Sequence, residues 1–295
     1  MENNRKKHRR DRYDAYYLED VDSMHILMAH LLPNRTDNEA IMNETVDMTP
    51  VLEYVEKKNS ENPQYKYTVF HVIMAAMAKT VYLRPKMNQF LAAGRMYERK
   101  DISFSFTAKN KFSDNAGESL LIFKLDRESG VSPLTQVHDF ICGNIYKIRN
   151  EEMVDDTTDM MNILTKIPPV VLKYLTKYLT YLNEHGRLPK VLRPLDPYST
   201  SVFVSNLGSI KLSANYHHLA NWGTNSIFLV IGELMYKPFF KEDGTYEMKK
   251  ALDLAFTIDE RIADGYYFSN TMKILRKILA NPQILDEPVD APVQL

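Results

Sequence analysis

Two hydrophobic periods alternate along the chain, and the sharpest change from one to the other falls near its end. Leu252, Leu254, Phe256 and Ile258 alternate with Asp253, Ala255, Thr257 and Asp259, the period-2 pattern of a half-buried strand. Tyr267, Phe268, Met272, Leu275, Ile278 and Leu279 then recur at helical spacing until Asn281-Pro282 stops the helix. Gly265 is expected to give the turn between them its backbone freedom. Upstream, Ile41 to Val46 reads as a strand, after which Thr49 caps a helix with Pro50 at its first position. Phe70, Ile73, Met77 and Val81 form one stripe of a helix over residues 69–83, ended by Arg84-Pro85. Ile102, Phe104 and Phe106 mark a strand, with 120–125 as its hairpin partner. Residues 134–148 form a helix with Val137, Ile141 and Ile145 on one face.

Met160 to Leu182 carries a broad apolar face that includes Ile163, Val170, Val171, Tyr174, Tyr178 and Leu182, with Lys166, Lys173 and Lys177 between, and Pro168-Pro169 starts or kinks it. Such a face packs on the domain or a neighbouring subunit, or serves a membrane surface or a partner protein through residues 163–182. Ser201 to Ser205 is a strand, and the apolar run Ile227 to Ile231 is a strand buried on both faces. Asp243-Gly244 makes the hairpin turn into the strand at 252–259.

Composition narrows the picture only a little. With 295 residues the chain suffices for one large domain or two small ones, and 25% charged residues is ordinary for a globular protein. A net charge of -1 implies no general attraction to nucleic acid. The run Arg5-Lys6-Lys7-His8-Arg9-Arg10 is expected to be a solvated tail. No apolar stretch follows it as in a secretory signal, and none reaches the roughly 18 residues of a membrane span. The single Cys142 points to a reducing compartment, so a cytoplasmic protein is expected. His138 and Cys142 lie four apart on one helix, but no second pair stands at ligand spacing, so no metal is expected. His71 reads as a structural core histidine.

Two segments carry a family resemblance. Asp259-Glu260-Arg261-Ile262-Ala263-Asp264-Gly265 resembles the Asp-His-Arg-x-x-Asp-Gly motif of the dihydrolipoamide acyltransferase catalytic domains of 2-oxo acid dehydrogenase complexes. These belong to the chloramphenicol acetyltransferase-like superfamily. Ser205-Asn206-Leu207-Gly208 resembles the Ser-x-Leu-Gly strand end of the same domains, and Arg84 to Leu91 their Pro-x-x-Asn connection. The resemblance implies an α/β fold, a two-layer sandwich with helices packed on a mixed sheet. It covers residues 35–282, with a helical insertion at about 151–195, a basic tail and arm at 1–34 and a loose tail at 283–295. The lipoyl and subunit-binding modules that usually precede this domain are not in the sequence, so membership of a large dehydrogenase complex does not follow from the resemblance.

The resemblance also implies a chemistry: acyl transfer between coenzyme A and an acceptor, in a channel between subunits of a homotrimer. Ser205 would donate to the oxyanion and, with Gly208, bind the coenzyme, while Asn206 would be structural at the site. Asp264 would be a structural carboxylate, with Arg35 as its partner and Gly265 next to it. The position of the catalytic His is held by Glu260. Full proton transfer from a thiol is uphill by about 6 kcal/mol for an ordinary Glu and about 3 kcal/mol for a His. A buried Glu260 with a raised pKa could serve as base, and a surface Glu without catalytic duty is the alternative. His217-His218 offers a displaced base, or a loop pair bonded structurally near Trp222. A catalytically silent trimeric binding or scaffold protein is the competing reading of the whole chain.

Overall fold

A computed structural model describes residues 6–109, 118–149 and 164–293; Arg5 and the 160–163 end of the expected insertion helix lie outside them. In chain order the elements are β1 (Ala15–Tyr17), α1 (Ser23–Leu31), β2 (Glu39–Asp47), α2 (Thr49–Ser60), α3 (Val69–Leu83), β3 (Gln89–Ala92), β4 (Arg95–Arg99), β5 (Ile102–Lys109), β6 (Glu118–Leu125), α4 (Pro133–Arg149), α5 (Pro169–Glu184), β7 (Val202–Asn206), β8 (Ile227–Ile231), β9 (Met235–Phe240), β10 (Tyr246–Asp259) and α6 (Gly265–Ala280). The main sheet runs β2-β10-β8-β7-β5-β6, with β9 paired to the first half of β10. β5, β7 and β8 are mutually parallel; the other pairings are antiparallel. A second, three-stranded sheet, β1-β4-β3, was not foreseen, because strands of three to five residues show too few alternations to read.

The pleat sends alternate residues to opposite faces. Leu254, Phe256 and Ile258, with Ile227, Leu229 and Ile231, pack under the helices in the main core. On the other face Phe203, Phe228, Val230 and Ala255 form a smaller cluster roofed by Leu219. β8 is therefore buried on both sides, as its apolar run requires. β10 was expected to be half-buried, yet Leu254 to Asp259 is buried throughout. Its polar face is covered by the loop before β8 and by two arginines, which a period-2 pattern cannot anticipate.

α3 is the centre of the helical layer. His71 to Val81 are all buried, including Lys79, whose ammonium donates to the carbonyls of Pro288 (2.9 Å) and Val289 (3.4 Å). The C-terminal segment is thus fastened rather than loose. Leu285 and Val289 are buried, contributing about 1.5–3 kcal/mol each, and the Tyr54 hydroxyl donates to Asp286 at 2.8 Å. In the basic run Lys6, Lys7, Arg9 and Arg10 are exposed, while His8 is half-buried and begins to tie the chain down. His8 stacks on Tyr17 and Arg10 donates to the Tyr17 hydroxyl. Arg12 is buried over Phe90 and donates to the carbonyls of Asn183 and Glu184. Arg12, just beyond that run, is buried because a guanidinium can stack and satisfy several carbonyls at once. Thr49 is the first residue of α2 rather than its cap; Asp47 accepts from the Thr49 N–H at 2.9 Å.

His71 accepts a hydrogen bond from the Thr68 N–H at Nδ1, 3.1 Å, and its ring lies edge-on to His138 at 5.2 Å. Burial, with His138 adding to it, pushes His71 down to about 4. Because the folded value lies below the unfolded one, the unfolded chain takes up the proton first as pH falls. Stability is full above about pH 6.5 and is lost toward pH 4, by up to about 3 kcal/mol from this residue. Denaturant unfolding of the wild type and His71→Asn at pH 7 and pH 4.5 is expected to show the smaller pH loss in the variant.

Candidate active site

The sequence turns sharply after β10 because its last carboxylate folds back on its own chain. Asp259 is fully buried, and its two oxygens take Nε and Nη2 of Arg261, each at 2.7 Å. The Nε of Arg35 stands 3.6 Å from the same carboxylate. Both guanidiniums are buried and spend their remaining donors on carbonyls. Arg261 reaches Leu32 and Pro33, and Arg35 reaches Ala220, Gly223 and Leu91. Burial lowers the Arg35 pKa while Asp259 opposes the shift. Arg35 is therefore partnered by Asp259, not Asp264. Asp264 is exposed and caps α6, accepting from the Tyr267 N–H at 2.8 Å. That bond, with Lys86 and His25 adding to it, lowers the Asp264 pKa.

Glu260 follows the buried carboxylate, its N–H bonded to the Asn38 carbonyl at 2.9 Å. Its side chain is exposed rather than buried. It lies on a cleft of about 700 Å³ shared with Asp264, His25, Lys86, Met28 and Phe268. Gly265 sits at the same cleft with a backbone that any residue adopts and open space where a Cβ would go. Within one subunit nothing requires glycine there, contrary to the expectation of a turn glycine.

Ser205, the last residue but one of β7, is half-buried on the face that carries Phe203, and its hydroxyl makes no hydrogen bond among the described residues. Gly208 lies against the other strand end: a Cβ there would meet the Gly232 carbonyl oxygen at 2.5 Å. Close approach of two backbones accounts for this glycine. Asn206 and Gly208 line a separate apolar cleft of about 640 Å³ between the sheet end, α3 and α4.

Ser205 pairs with Val230, whereas Asp259 bonds the Ser226 carbonyl. Four residues of β8 separate those levels, about 13 Å along the strand, and β7 and β10 flank β8 about 10 Å apart. The two motif segments therefore stand at opposite ends of β8. His217 shares the sheet face of Ser205. It stacks on Phe228 at 4.1 Å and Phe228 on Phe203 at 5.0 Å, all on the Ser205 face. His217 and His218 are exposed and stacked on each other, and His217 Nδ1 donates to the His218 carbonyl. Trp222 is engaged elsewhere, donating to Asp196 at 3.0 Å.

His25 and Lys86, which share the cleft with Glu260, were not singled out from the sequence. The available signal was Asp22 ahead of an apolar run: it caps α1, accepting from the Met24 N–H, and so sets the helix that carries His25. Among the described residues no group of three or more His, Cys, Asp or Glu side chains is placed to hold a metal ion. His138 is committed to the Tyr65 carbonyl at 3.0 Å. On α5, Val170, Val171, Tyr174, Tyr178 and Tyr181 are more than half exposed, so this face does not pack on its own domain. No described helix is long and apolar enough to cross a membrane.

The layered sheet and the two strand-end segments define a chloramphenicol acetyltransferase-like fold, and the chain superposes on chloramphenicol acetyltransferase with a TM-score of 0.54 at 11% identity, over 90% of this chain and 99% of that one. More particularly, it resembles the acyltransferase catalytic domains of the 2-oxo acid dehydrogenases. Residues 172–285 match the family model described as 2-oxoacid dehydrogenases acyltransferase (catalytic domain), which spans both motif segments and begins within α5. A probable dihydrolipoamide acetyltransferase from Listeria monocytogenes shares the fold with a TM-score of 0.57 at 16% identity, over 94% of this chain and 97% of that one. Dihydrolipoamide acetyltransferase from Azotobacter vinelandii, in which roles of a Ser, a His and an Asn in the catalytic mechanism were investigated, gives 0.57 at 15%, over 91% and 93%. Comparison with curated protein sequences finds no match.

Removing the Asp259 carboxylate leaves two buried guanidiniums facing each other. Asp259→Ala is expected to cost about 3–5 kcal/mol in urea unfolding, against about 1 kcal/mol for the cap variant Asp264→Ala. Equal losses would contradict this assignment of partners.

Proposed function

We propose that the protein is a coenzyme A-dependent acyltransferase that works as a homotrimer, with its site in a channel between subunits. The observation that carries this reading is the separation of Ser205 from the turn at Glu260 to opposite ends of one sheet. Two copies can bring an unpartnered hydroxyl and the motif cleft together; one cannot. Exposed Met24, Leu27 and Leu31 on α1, beside that cleft, support a covered surface there.

In such a channel the nucleophile of the acceptor attacks the thioester carbonyl of acyl-CoA. The Ser205 hydroxyl donates to the oxygen that gains negative charge, and collapse of the intermediate expels the CoA thiolate. A donor aimed at a developing oxyanion is worth about 100- to 1,000-fold in kcat. His217, on the Ser205 face, is available to the same channel.

Titration calorimetry with coenzyme A is expected to give saturable binding, and light scattering a trimer. Ser205→Ala is expected to lower kcat by about 100- to 1,000-fold with acetyl-CoA as donor. A monomer with full turnover, or no heat with coenzyme A, would sink the proposal. The exposed face of α5 supports a further element of it, a surface for a partner or for anionic lipid, with Lys166, Lys173 and Lys177 as the attracting charges. Co-sedimentation with anionic liposomes, lost in a Lys166→Glu, Lys173→Glu, Lys177→Glu variant, is the expected result for lipid. Persistence of binding in that variant would exclude it.

A further inference from the structure

If the motif cleft performs acyl transfer, it needs a base, and Glu260 is poorly placed to be it. Its carboxylate is exposed to water rather than enclosed. The lining of the cleft holds one imidazole, that of His25. α1 delivers it from the N-terminal arm. The arm is fixed against the motif because Arg261 bonds the carbonyls of Leu32 and Pro33 just past the end of α1. The helix therefore cannot shift away without breaking the bonds that hold the turn. The Nδ1 atom of His25 is buried and has no hydrogen-bond partner among the described residues. A buried ring nitrogen left unpaired is unfavourable for folding.

We infer that His25 is the general base of this site and does the work that the Glu260 position does not. The inference rests on the acyl-transfer reading above. The charged groups that share the cleft are Asp20 and Asp22 ahead of α1, Lys86 after α3, and Glu260 and Asp264 on the turn after β10. In the reaction the imidazole takes the proton of the acceptor's thiol or amine as its sulfur or nitrogen bonds to the thioester carbon. The Glu260 and Asp264 carboxylates stabilise the imidazolium so formed. When the carbon–sulfur bond to coenzyme A breaks, the thiolate leaves with the electron pair and takes the proton back from the ring. Glu260 thus acts on the charge of the base and not on the acceptor.

The test uses the full chain with acetyl-CoA as donor and dithiothreitol or ethanolamine as acceptor. His25→Ala is expected to lower kcat by about 100- to 10,000-fold while coenzyme A binding by calorimetry stays within about twofold. Added imidazole is expected to restore part of the lost rate, which a merely structural role would not allow. Wild-type kcat in His25→Ala, or loss of coenzyme A binding together with turnover, overturns the assignment. So does a loss of that size in Glu260→Gln with none in His25→Gln. These results leave the acyl-transfer reading standing. A wild type that binds no coenzyme A, or moves no acetyl group to either acceptor, overturns that reading and this assignment with it.

Discussion

The structure depends most on one buried carboxylate. Asp259 ends the central antiparallel strand and holds two guanidiniums out of water. Burying such charges is costly unless every donor finds a partner. Here the partners come from across the chain: the arm at Leu32 and Pro33, the loop at Ala220 and Gly223, and β3 at Leu91. A single ionic cluster therefore joins four separate segments. It also sets the direction of the turn, which puts Glu260 and Asp264 outside and α1 beside them.

How far the sequence foretells this differs with the range of the interaction. The limits of α3 are those of its stripe, because eleven successive buried positions and a following proline leave no freedom of boundary. β8 is as legible, since an apolar run of five can only be a doubly covered strand or a buried turn of helix. Local pattern fails where the deciding contact is remote. Asp259 and Arg35 are 224 positions apart, and nothing near either names the other. The fastening of the C-terminal segment by Lys79, whose partners are backbone carbonyls, is equally silent in a string of residue types.

At the candidate site the two motif segments were legible because each is short and contiguous. What surrounds them was not. Gly265 looked like a conformational necessity and is not one within a subunit. Gly208, by contrast, is forced by its neighbour's carbonyl. Among the described residues the Ser205 hydroxyl makes no hydrogen bond, whereas Ser105 on the neighbouring β5 and Ser201 just before β7 are each bonded inside the fold. Thr257 on β10 also leaves its hydroxyl unbonded, but that one is buried, whereas the half-buried Ser205 can be reached by an outside partner.

The position of β10 has a consequence for how the molecule comes into being. It lies between β2 and β8, and β2 has no other neighbour in the sheet. A ribosome making this polypeptide must emit nearly all of it before its second strand can be seated. Until then that strand is an orphan with open edges on both sides, exposed to mispairing with other nascent chains. High contact order of this kind slows folding, so the cell would have to shelter the early half while it waits for the late one.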